Sequence, residues 1–253
     1  MTITVTYQSP NQICKKMDVY RSANETTTAR VICTNIENIK TETVLRPLCR
    51  LGATGVNGGF FDAENLIGFP NYMKPPTSGS SICYTKGLDG HMAEYEGVRR
   101  VKNFHENQVG DVAVAKKTMF IYNAYGGRVS VAYDYVKHIN ELRNKFDVLY
   151  AIGGTDYNRN SWGAGYEKRK NRTVIAWIKP VVGVQTQVYL IQVEDVTIPE
   201  LKVAMQHMNL DPVYSVIMDC GGSSGIQYHE GGKMINTSFQ NRYLYNIVRL
   251  IKE

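Results

Sequence analysis

Val213-Tyr214-Ser215-Val216-Ile217-Met218-Asp219-Cys220-Gly221-Gly222-Ser223-Ser224 is the stretch that decides the fold. Its first half, broken only by Ser215, is an apolar run of the kind that fills a buried strand. Its second half brings one carboxylate, paired glycines and paired hydroxyls to a turn directly after that strand. Glycine lets the backbone bend where other residues resist, and lets a ligand approach bare N–H groups. A second stretch, Asn57-Gly58-Gly59-Phe60-Phe61-Asp62, repeats the chemistry: amide, paired glycines, carboxylate. Either cluster alone is ordinary turn material. Together, each with its Asp, they predict one site assembled from both halves of the fold.

Outward from these clusters the chain reads as strands with few helices. Residues 1–50 alternate polar and β-branched residues, as in Ala29-Arg30-Val31-Ile32-Cys33. Further strands are expected at Val112–Ala115, Met119–Tyr122, Val148–Ile152, Thr173–Ile178, Gln187–Val193, Val213–Met218 and Leu244–Ile251. Val136, Ile139, Leu142 and Phe146 recur at helical spacing and predict a helix from about Tyr133 to Phe146. A second helix starts near Pro199, a good first-turn residue, and carries the stripe Leu201, Ala204, Met205, Met208. Residues 63–90, with Pro70, Pro75, Pro76 and a Ser/Gly run, read as a flexible lid. The expected fold is α+β: a strand-rich single domain over 1–253 with mixed sheets and a few packed helices. Its N-terminal strands fill 1–50 and its motif-bearing core fills 51–251.

Composition bounds the function. At 253 residues with 43% apolar content, the chain can bury a full core without disulfides or metal. A formal charge of +6 suits an anionic small-molecule ligand without requiring nucleic acid. The densest basic run, Lys168-Arg169-Lys170-Asn171-Arg172, is by default a solvated loop, with at least one member expected to do more. A nucleic-acid partner ranks last, because no recognition module accompanies that run. The five cysteines are odd in number and none is paired as CxxC, which predicts reduced thiols. No signal peptide and no membrane-span length is visible, so the expectation is a soluble, cytoplasmic protein with no membrane partner.

Several motifs tempt and fail. Gly221-Gly222-Ser223-Ser224-Gly225 matches G-x-S-x-G, but Ile226 to Gly232 after it read as a strand and a turn rather than a helix, and no Asp comes after Ser223. The five histidines are scattered, with no metal-ligand spacing. No Walker or dinucleotide fingerprint is present, so neither a metal nor a cofactor is expected.

The clusters resemble the phosphodiester glycosidases, whose best-known activity removes N-acetylglucosamine from a sugar phosphodiester. The landmarks fall in family order: Asn57 to Asp62, then Ala151-Ile152-Gly153-Gly154, Arg172-Thr173, a helix at Pro199–Leu210, Asp219 to Ser224, and Arg242 before a strand containing Asn246. Two positions depart from the pattern. Cys220 stands where the family has a glycine, and Ala176 where it often has one. A cysteine at the turn could narrow the pocket. It keeps open a second reading, a non-catalytic protein that sequesters an anionic nucleotide or sugar phosphate. A hydrolase of a cyclic or signalling nucleotide is a third.

The resemblance implies a hydrolase that cleaves a glycosyl–phosphate bond in a sugar- or nucleotide-bearing phosphodiester. Its phosphate leaving group is already stable as an anion. The site therefore needs a phosphate clamp and a carboxylate for developing oxocarbenium charge. Arg172 is the expected clamp, because guanidinium binds phosphate oxygens bidentately. Asp219 and Asp62 are the expected carboxylates, one as nucleophile or charge stabiliser and the other as acid/base. Asn57, Gly58, Gly59, Thr173, Gly221, Gly222, Ser223, Ser224 and Arg242 complete the expected binding set. Arg242 is as readily a structural tie for the last strand as a ligand contact.

Overall fold

The computed structural model describes residues 3–61, 76, 79–88, 92–95, 99–102, 117–181, 184–238, 240 and 242–253. Strands β1 (Ile3–Ser9), β2 (Gln12–Tyr20), β3 (Thr26–Asn35) and β4 (Ile39–Pro47) open the chain. They are followed by β5 (Gly55–Asn57), β6 (Cys83–Thr85), β7 (Met92–Tyr95), β8 (Arg99–Lys102), β9 (Lys117–Ala124), β10 (Arg128–Tyr135) and β11 (Asp147–Gly154). The rest are β12 (Lys170–Trp177), β13 (Gln187–Val196), β14 (Ser215–Ile217), β15 (Ile226–Glu230), β16 (Lys233–Asn236) and β17 (Tyr243–Leu250). The described α-helices are α1 (Asn140–Arg143), α2 (Arg159–Trp162) and α3 (Ile198–His207).

Three larger sheets form, in the orders β1-β2-β3-β13-β12-β14, β10-β9-β11-β6 and β16-β15-β5-β17-β4, and β7 pairs with β8. Every described pairing is antiparallel, which corrects the expectation of mixed sheets. The protein is mostly β with a few helices. Among the described residues no helix is long and apolar enough to cross a membrane. The five cysteines are unbonded to one another, and Cys49 alone of them is exposed.

The sequence of β12 explains why the sheets stack. Ile175 and Trp177 face a central core reached by all three sheets, through Ile32 and Leu190, Met119 and Ile152, and Val56 and Val248. Val174 and Ala176 point the other way, into a second core under Leu201, Ala204 and Met205 of α3. A strand buried on both faces reads as a continuous apolar run, and Val174 to Trp177 is one. Helix α3 starts where its residues say it should. Thr197 accepts from the Glu200 N–H and the Glu200 carboxylate accepts from the Thr197 N–H, a capping box with Pro199 in the first turn.

Three element expectations change. The helix expected over Tyr133–Phe146 shrinks to α1, because Tyr133 and Tyr135 pair with Met119 and Lys117 as the end of β10. Its apolar stripe was the right core but the wrong length: Val136, Ile139 and Leu142 are buried against Phe120 and Val148. The strand at Val213–Met218 is cut to β14, since Pro212 to Tyr214 forms a short 3₁₀ turn capped by the Asp211 carboxylate. Within the expected lid, Cys83–Thr85 is strand, paired with Tyr150–Ile152. Most of the rest of that segment, the strand expected at Val112–Ala115, and Asp62 lie outside the described residues.

Candidate active site

The two Gly-rich clusters meet. The Asp219 N–H donates to the Gly58 carbonyl at 3.2 Å, and the Asn57 N–H donates to the Gly225 carbonyl at 3.2 Å. Sheet order makes this possible, because β5 lies between β15 and β17 and so delivers its end beside the turn after β14. Gly58 is required by crowding: a side chain there would run into Asn246 of β17, whose Oδ1 accepts from the Gly59 N–H at 2.8 Å. Nδ2 of that same Asn246 is buried without a hydrogen-bond partner among the described residues.

Asn57 is the hub of the junction. Its Nδ2 donates to the Asp219 carbonyl at 2.9 Å and the Gly58 carbonyl at 3.2 Å. Its Oδ1 accepts from the Thr173 hydroxyl at 2.6 Å and the Gly225 N–H at 3.0 Å. Thr173 Oγ1 also lies 2.8 Å from Ser224 Oγ. Asn57, Thr173 and Ser224 are all buried. These sequence-predicted binding residues are brought together, and their polar atoms are bonded to one another.

The charged groups lie one step outward. Asp219 is half-buried. Burial pushes its carboxyl above the ordinary Asp range, against the pull of the Ser223 hydroxyl, the Cys220 N–H and the charges of Arg242 and Lys170. Asp219 Oδ1 accepts from the Cys220 N–H at 2.8 Å. Arg242 donates to Ser223 Oγ at 3.1 Å and to Gln240 Oε1 at 3.2 Å. Gly221 takes φ +66°, the left-handed turn conformation that favours glycine, and Lys170 passes alongside it. A side chain at Gly222 would strike Gln240 and Arg242.

Arg172, the expected clamp, has a different setting. Its Nη2 donates to the Lys168 carbonyl at 2.7 Å and the Gly165 carbonyl at 2.9 Å, and its Nε to the Val196 carbonyl at 3.2 Å. Its guanidinium carbon lies 4.9 Å from the Trp162 ring. The side chain is buried and knits the loop before β12 to the sheet. Cys220 also turns away from the Gly-rich bend. Its Sγ donates to the Met218 carbonyl at 3.1 Å and packs on the core under α3, so the thiol does not fill the turn. Burial pushes that thiol up, and the adjoining Arg172 charge partly offsets the push.

Lys170 and Gln240, which flank the Gly221–Gly222 turn, were not among the expected site residues. Lys170 was visible inside the basic run, two residues before Arg172.

No family model matches the chain, and no curated protein matches it. Among solved structures, the chain is similar to the zebrafish N-acetylglucosamine-1-phosphodiester α-N-acetylglucosaminidase catalytic domain, auto-inhibited by its pro-peptide. The match covers 100% of this chain and 88% of that one at 12% identity, with a TM-score of 0.59. A protein of Burkholderia pseudomallei matches over 90% of this chain and 74% of its own, at 12% identity and a TM-score of 0.45. The first likeness is one of fold: this chain shares the architecture of a phosphodiester glycosidase domain.

Proposed function

We propose that the protein is a single-domain hydrolase of a small anionic substrate, cleaving the bond between an anomeric carbon and a phosphate. The observation that carries this reading is the half-buried Asp219 carboxylate, set at the junction of the two Gly-rich turns and facing the charges of Arg242 and Lys170. The fold neighbour is by name an enzyme of a phosphodiester-linked sugar, which supports the same class.

In this mechanism Lys170 and Arg242 hold the phosphate, with the Ser223 hydroxyl and the bent Gly221–Gly222 backbone beside them. They take the clamp role first expected of Arg172, whose donors face backbone carbonyls. The C–O bond to phosphate breaks and its electron pair leaves with the phosphate oxygen. Positive charge develops on the anomeric carbon and is met by the Asp219 carboxylate. Water adds to that carbon and its proton passes to a carboxylate. Burial makes Asp219 a stronger base than an exposed Asp, which suits it to receive that proton. Asp62 is proposed as the second carboxylate.

The test is incubation with sugar phosphodiesters, nucleotide sugars and cyclic nucleotides, with mass analysis of the products. A released sugar and a free phosphate end, absent with Asp219→Asn, is the expected result. Recovery of every compound intact overturns the hydrolase reading.

A further inference from the structure

Hairpin loops are ordinarily polar, because water surrounds them on most sides. Two neighbouring hairpins of this chain depart from that rule. The turn between β9 and β10 is Tyr125-Gly126-Gly127, and its glycines, at φ +79° and +73°, supply the left-handed backbone that a tight turn needs. The bend does not require Tyr125, yet that ring stands fully exposed. The connection between β12 and β13 closes where the Val184 N–H donates to the Val181 carbonyl at 3.1 Å. Turns favour Gly, Pro, Asn, Asp and Ser, yet valines hold both ends of this one, 58% and 65% exposed, with Pro180 exposed beside them.

The two tips are side by side. Tyr125, Pro180, Val181 and Val184 line one open cleft of about 710 Å³. Tyr125, Ile178, Val181 and Val184 are four of the eleven large apolar side chains exposed among the described residues. Cations flank them. Arg128 on the rim of the cleft and Lys179 next to Pro180 are both exposed, and neither forms an ion pair among the described residues. Glu37 is the single acidic residue on that rim among the described residues.

We propose that the paired hairpin tips dock on an anionic lipid membrane, with Tyr125, Val181 and Val184 entering the headgroup boundary and Lys179 and Arg128 meeting the charged headgroups. A tyrosine, apolar in body and polar at its tip, suits that boundary. The formal charge of +6 pulls the whole chain the same way. Two copies joined through this patch would instead bring like-signed patches together. The lack of a spanning helix among the described residues bears on crossing a membrane, not on lying against one. The proposal stands apart from the hydrolase reading. Thr173, bonded to Asn57, lies in the first half of β12, and the docking hairpin leaves from the other end of that strand, so docking does not cover the Asp219 junction.

The test is flotation of the full chain with vesicles of phosphatidylcholine alone, or of phosphatidylcholine and phosphatidylserine in equal parts. The chain is expected to float with the mixed vesicles and to bind them less as salt is raised. Lys179→Gln combined with Arg128→Gln should weaken that binding about 25-fold, at about fivefold per cation. Val181→Asp combined with Val184→Asp should abolish it. These side chains are exposed, so each variant should keep the unfolding midpoint of the parent. Tyr125→Trp, read by quenching with brominated acyl chains, reports insertion separately, and more quenching than in the parent is expected.

No flotation with the mixed vesicles overturns the proposal. So does flotation that the valine and cation variants retain in full, or that brings no added quenching in Tyr125→Trp. A dimer that does not float, and that Val181→Asp with Val184→Asp dissolves, would assign the tips to a second copy instead.

Discussion

Two groups of polar residues sit side by side at the end of β12 and differ in what their atoms do. In the inner group, Asn57, Thr173 and Ser224 are buried and bonded to one another and to the Gly58, Asp219 and Gly225 backbones. In the outer group, Asp219, Lys170 and Arg242 are charged and at least partly open to solvent. The residue types are those of any glycine-rich turn. Position relative to the sheet end decides which become scaffold and which stay available for chemistry. A satisfied buried network specifies one arrangement, whereas a half-buried carboxylate raised above its ordinary range costs stability in a way typical of a working site.

The sharpest way to break this division is Asp219→Asn. Turnover should fall by about 10³-fold, roughly 4 kcal/mol of transition-state stabilisation, while the denaturation midpoint at pH 8 stays level or rises. Retained turnover in a folded sample would place Asp219 in the scaffold.

The inner group should respond in the opposite sense. Asn57→Ala leaves the Thr173 hydroxyl and the Gly225 N–H without their acceptor, and Arg172→Ala strands the carbonyls of Gly165, Lys168 and Val196. Each should lower the unfolding free energy by about 3 kcal/mol in urea titration. An Arg172→Ala variant of unchanged stability that loses only ligand affinity would restore Arg172 to the clamp.

Smaller effects belong to the cations. Lys170→Ala and Arg242→Gln should each raise KM or Kd for a phosphate ligand about tenfold, about 1.4 kcal/mol. Lys170→Ala should move stability by less than about 0.5 kcal/mol, because that side chain is exposed.

The smallest expected effect is a slope. Because the folded state holds the Asp219 proton to higher pH than the unfolded chain does, the carboxyl contributes no penalty below its unfolded value. Stability then declines as pH rises through the raised folded value. Asp219→Asn should flatten that part of the pH–stability curve, and an unchanged curve would mean the carboxylate is well solvated.

The convergence of both clusters was legible, because two turns with the same paired glycines and carboxylate, far apart in sequence, point to one shared site. Helix α3 was legible too, since its first-turn proline and its apolar stripe agree. The roles inside Lys168–Arg172 were not. Arg169 pairs with Glu200 at 2.6 Å and Glu25 at 2.8 Å, Asn171 accepts from the Asp195 N–H at 3.1 Å, Lys170 faces Asp219, and Arg172 turns inward. Those fates depend on a register shift between β12 and β13 at this point, which sequence periodicity does not carry. The helix at α1 was read too long for a related reason. Tyr133 and Tyr135 fit a helical stripe and a strand equally well, and pairing with β9 decided between them.

The position of β5 has a consequence for how the protein comes into being. Its neighbours in the sheet are β15 and β17, both more than 160 residues later in the chain. While the chain emerges from the ribosome, Gly55–Asn57 has no partner on either side until residues beyond 226 have been made. The strand that carries Asn57 to Asp219 therefore joins the sheet late, through contacts of long sequence separation that are slow to close. A nascent chain stalled before β15 is expected to lack the Asn57–Asp219 junction in its native form, however well the preceding strands have paired.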